Sequence, residues 1–81
     1  MVSRALDPDV LHEAVSEAAQ RLIDALAVEA KLGRRLRRKR QDHELFQRWR
    51  AVQRLIEHGA RDYMKATRRF REAIQGLFLS P

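Results

Sequence analysis

The chain has 81 residues, with 17 Lys and Arg against 11 Asp and Glu, for a formal net charge of +6. It has no Cys, which removes disulfides, thiolate catalysis and thiolate metal sites together. No apolar run approaches the roughly 18 residues of a membrane span, and the start MVSRALDPD has no signal-peptide core, so a cytoplasmic protein without membrane contact is expected. One domain, 1–81, is expected from the length. A chain this small buries only about 60–65% of its unfolded surface and gains stability from a partner. Three Gly, two Pro and 35% charged residues read as helical.

The first helix has a clear start. Asp7 suits the N-cap, Pro8 the first helical position, and Asp9 the first turn, where the dipole favours an anion. Leu11, Val15, Ala18, Leu22, Ala25, Glu29, Leu32 and Leu36 then recur at alternating steps of four and three. That is a heptad seam with one polar member, Glu29. The spacing predicts a helix over about 8–37, followed by a turn near 38–43 with Asp42 as the next N-cap.

The second half follows the same rule through Leu45, Trp49, Val52, Ile56, Gly59, Tyr63, Ala66, Phe70, Ala73 and Leu77. Gly59 reads at first as a break, but the phase is kept across it, so it belongs inside one helix at a close contact. The prediction is a helix over about 43–77, ending near Gly76 and Pro81, with short flexible termini on the chain.

The two seams are mirror images. Residues whose numbers sum to 81 pair as in a long antiparallel helical hairpin: Leu36 with Leu45, Leu32 with Trp49, Leu22 with Gly59, Leu11 with Phe70. In the middle layers small faces large, as close packing requires. Residues 1–30 carry net −4 and residues 58–81 net +3, so the hairpin lays opposite charges side by side. Part of the charge on Arg61, Lys65, Arg68, Arg69 and Arg71 is expected to face the acidic first helix.

Apolar surface is left over. Ala19, Ile23, Leu26 and Ala30 form a second stripe on the first helix; Leu55, Met64 and Ile74, with Phe46 and Phe78, are surplus on the second. Closure into a homodimeric four-helix bundle through these residues is the simplest expectation, with a heterologous helical partner as the alternative. This architecture resembles that of Rop-type RNA-binding hairpin dimers.

Chemistry is scarce. His12, His43 and His58 are far apart with no metal-ligand spacing, no Ser has a His–acid arrangement, and no Gly-rich phosphate loop exists. No catalytic residue, metal or cofactor is expected. Glu29 reads as a register device or as reaching toward Arg48. Trp49 and Tyr63 can stack bases in principle, but their seam positions favour packing. Residues 31–40 hold seven cations and no anion, more than the net charge of the chain. The hairpin gathers Arg34, Arg35, Arg37, Arg38, Lys39 and Arg40 at one tip, with Arg48 and Arg50 near it. Guanidinium groups grip phosphate bidentately, so the expected partner is DNA or RNA. A protein-only adaptor, chaperone or inhibitor docking an acidic or helical partner is the alternative. An all-helical enzyme is the third class. Asp62-Tyr63-Met64-Lys65-Ala66 through Phe70 has a faint similarity to small helical chorismate mutases, but Gly59 and Ala60 stand where their arginine belongs.

Overall fold

Two helices make up nearly all of residues 7–79, the part of the chain described by this computed structural model: α1, Pro8–Arg38, and α2, His43–Leu79. The expected flexible termini and the stop at Pro81 lie outside the described residues. α1 begins where its cap dictates, with Asp7 Oδ1 accepting from the Asp9 N–H at 2.9 Å. α2 begins the same way, with Asp42 Oδ1 accepting from the Leu45 N–H at 3.0 Å. Between them the chain reverses over Lys39–Asp42. The Lys39 N–H donates to the Arg35 carbonyl at 3.0 Å, and the Asp42 N–H to the Lys39 carbonyl at 3.3 Å.

The helices run antiparallel as a rod of 62 × 17 × 14 Å. Contacting residues sum to 81 or 82. A Cβ built on Gly59 meets Leu22, one on Gly33 meets Trp49, and the His12 and Phe70 rings meet edge to face at 5.4 Å. α2 passes through Gly59 without interruption. It also passes through Gly76 and ends at Leu79, two residues beyond the expected end. Gly76 lacks the positive φ of a helix-ending glycine, so nothing turns the chain there.

The core is one seam deep. Among the described residues only Ala18 and Leu45 are buried, at 4% and 5% exposure, and the other seam residues are half-buried or, toward the open end, exposed. The chain exposes 7117 Å², against roughly 5,000 Å² for a globular monomer of its mass. Its radius of gyration is 17.9 Å, against about 12 Å for a compact domain of its length.

The expected electrostatic pairing between helices is absent among the described residues. Each of the two ion pairs there lies within its own helix, Arg21 with Glu17 in α1 at 4.0 Å and Arg48 with Glu44 in α2 at 3.0 Å. Arg48 therefore does not serve Glu29; a partner one turn away costs less side-chain ordering than one across the seam. Arg61, Lys65, Arg68, Arg69 and Arg71 are exposed and unpaired with α1.

The rod has two dissimilar broad faces. Ala19, Leu26 and Gly33 repeat every seven residues on the face that Gly33 shares with Phe46; on α2 that row continues through Gln53, Ala60, Thr67 and Ile74. Neither row carries a charge until Arg40 at the tip. Ile23 and Ala30 on α1, and Met64 and Phe78 on α2, flank it one step outward; Arg37 continues the first flank, and Arg50, Glu57 and Arg71 share the second. The opposite face is charged, with Arg21, Asp24 and Asp62 around Val28 and Leu55. No helix among the described residues is long and apolar enough to cross a membrane.

Candidate nucleic-acid interface

The turn puts the cationic run at one end of the rod, and helical geometry then divides it. Lys31, Arg34, Arg35 and Arg38 stand at i, i+3, i+4 and i+7 and form one stripe about 10 Å long on α1. With Val28 and Leu32 they line an open groove of about 350 Å³. All four side chains are exposed, and none is in an ion pair among the described residues. Arg35, Arg37 and Arg38 lie in the last turn of α1, where the carbonyl end of the helix favours cations. That effect explains some positive charge but reaches neither Lys31 nor Arg34.

Arg37 and Arg40 belong elsewhere. They line a second groove, of about 460 Å³, with Glu29, Leu36, Phe46 and Trp49. Phe46 is 42% exposed, and its ring lies 6.0 Å from that of Trp49 at an interplanar angle of 23°. Lys39, in the turn, lines neither groove. The six cations expected at the tip are thus brought to one end but not to one site. The stripe includes Lys31, which counts in the charge run but not among the six residues expected at the tip. Its signal was the i, i+3, i+4, i+7 spacing.

The surplus apolar residues divide as well. Ala19, Ile23, Leu26 and Ala30 share the face of the two uncharged rows with Met64 and Ile74. Leu55 does not: it stands nine residues from both Phe46 and Met64, about 180° around the helix, and lines a groove with Val28 on the charged face. Met64 is 64% exposed and Leu55 61%.

Of the histidines, His12 packs on Phe70 and His58 lines the charged groove with Asp62. No group of three His, Asp or Glu that can hold a metal occurs among the described residues. Compared with protein-family models, with curated proteins and with solved structures, the chain has no match.

Proposed function

We propose that the chain is a binding protein, of an accessory or regulatory kind, that grips the phosphate backbone of nucleic acid with its cationic tip. The observation that carries this reading is the stripe Lys31, Arg34, Arg35 and Arg38: four exposed cations in register with no anion among them. Arg and Lys at this spacing follow a row of phosphates, and no base-reading motif accompanies them, so affinity is largely independent of sequence.

The working unit in this proposal is a homodimer closed through the two uncharged rows, with Glu57 and Arg71 at the rim. The surface in excess of a globular monomer, roughly 2,000 Å², exceeds the ~800 Å² per partner of a standard interface. Ala19 and Met64 lie at one height, about 35 Å from the turn at 1.5 Å per residue. A twofold axis there brings Leu26 level with Ile74 and Ala30 level with Phe78 of the second copy, and leaves both tips free.

The test is binding of labelled duplex DNA and RNA across a salt series. With three or four stripe cations engaged, log K falls with log salt at roughly −3 to −4 per protomer. Replacing Lys31, Arg34, Arg35 and Arg38 by Gln flattens that slope and weakens all sequences alike. If neither nucleic acid binds at ~50 mM salt, where phosphate contacts are strong, or if the variant binds as well as the parent, the adaptor reading replaces this one.

A further inference from the structure

Beyond the stripe, we propose that the groove of Gly33, Arg37, Arg40, Phe46 and Trp49 seats an unpaired base of single-stranded nucleic acid. This inference rests on the phosphate-binding reading and adds to it a preference for single strands.

Three observations converge on it. The nearly parallel Phe46 and Trp49 rings begin a stack, and the exposed Phe46 gives it a free aromatic surface at the cationic end of the rod. Base–aromatic stacking is sequence-tolerant because every base has a π-face.

Gly33 is unexplained by the fold. Its φ is not positive, so the backbone does not require glycine. A Cβ there would lie 4.0 Å from Trp49 Nε1, an ordinary contact, so helix packing does not require it either. Glycine inside a helix costs about 1 kcal/mol relative to Ala. What Gly33 provides is room: any longer side chain fills the groove beside the indole.

Arg37 and Arg40 line the same groove. Their guanidinium groups match the phosphates on either side of a splayed base and can stack on its ring. Glu29, also in the groove, is an acceptor for an exocyclic amine. A duplex keeps its bases stacked inside and offers this surface phosphate alone, whereas a single strand offers both base and phosphate.

Trp49 is the single Trp of the chain, so its emission reports on the groove directly. Oligodeoxythymidylate and oligodeoxyadenylate, each against a duplex of equal length, are titrated at ~50 mM salt. The single strands are expected to quench Trp49 emission, while the duplex binds through the stripe without doing so. Phe46→Leu, which keeps apolar volume but removes the ring, weakens single-strand binding about fivefold or more. It leaves duplex affinity and helicity unchanged; Phe46→Tyr restores the loss. Gly33→Leu, which fills the groove without touching a charge, has the same effect as Phe46→Leu. If single strand and duplex bind alike with no change in emission, and Phe46→Leu alters neither, the base seat is wrong and the phosphate reading stands. If neither binds, both readings fall.

Discussion

Gly59 of α2 lies directly against Leu22 of α1: a Cβ at Gly59 would meet Leu22 Cδ1 at 3.5 Å and Leu22 Cα at 3.8 Å. The two helix backbones approach closely here because Gly59 contributes no side chain, and Leu22 packs directly against the α2 backbone. Both distances are ordinary van der Waals contacts, so one methyl group fits and nothing larger does. Gly59→Ala is therefore expected to stabilise the hairpin by up to ~1 kcal/mol through helix propensity. Gly59→Leu is expected to destabilise it by ~1–3 kcal/mol through overpacking. Thermal melts followed by circular dichroism decide the matter: a Leu variant melting at or above the parent would show that the close approach is absent.

Gly76 offers the contrast. Nothing lies within 4 Å of a Cβ built there, and α2 continues past it to Leu79. Gly76→Ala is expected to raise the melting temperature modestly, by at most ~1 kcal/mol of stability. A lowered melting temperature means that the helix ends at Gly76 and that its glycine is a cap.

The cap of α2 is testable separately. Asp42→Ala removes the acceptor for the Leu45 N–H, at a cost of about 0.5–2 kcal/mol. Asp42→Asn keeps an acceptor and is expected to lose little. Equal losses in the two variants would point to charge rather than capping.

Association is expected to follow the faces of the rod. Sedimentation and the concentration dependence of melting report it, since a partner that binds only the folded state raises apparent stability with protein concentration. Ile23→Lys with Leu26→Glu, or Met64→Lys alone, is expected to break the assembly. Leu55→Lys, on the charged face, is expected to leave it intact, as is Gln20→Ala. A compact, folded monomer at micromolar concentration refutes the dimer; loss of assembly with Leu55→Lys refutes the choice of face.

Legibility in the sequence varied with how rigidly a feature is tied to the backbone. The heptad period carries the two seams, and the unbroken phase across Gly59 carries the continuity of α2, because a one-residue slip would rotate every later seam residue about 100° off the seam. Asp7 and Asp42 were readable because a cap is a local bond between a side chain and a backbone group two or three residues on. The end of α2 was not, since glycine stops a helix only when it adopts positive φ, and Gly76 does not. The charge run was readable as a location but not as a site. Counting along the chain puts Arg37 beside Arg38, whereas around the helix they stand about 100° apart. Leu55 was grouped with Met64 for the same reason. The pairing of Arg48 with Glu44 reflects a choice among flexible side chains that composition alone does not determine. Phe46, Trp49 and Gly33 meet only because the seam register brings α1 and α2 together at that height.

Since contacting residues sum to 81 or 82, every step away from the turn closes a longer loop. Leu36 and Leu45 are nine residues apart, while Leu11 and Phe70 are 59 apart. Closing a loop of about ten residues takes ~10–100 ns, and each later seam layer adds only a few residues to a loop already closed. A single protomer therefore assembles like a zipper from the turn outward, and it frays in the reverse order. Amide exchange in the protomer should be slowest around Leu45 and fastest near Leu11 and Phe70. The end that carries the cations is the last to let go.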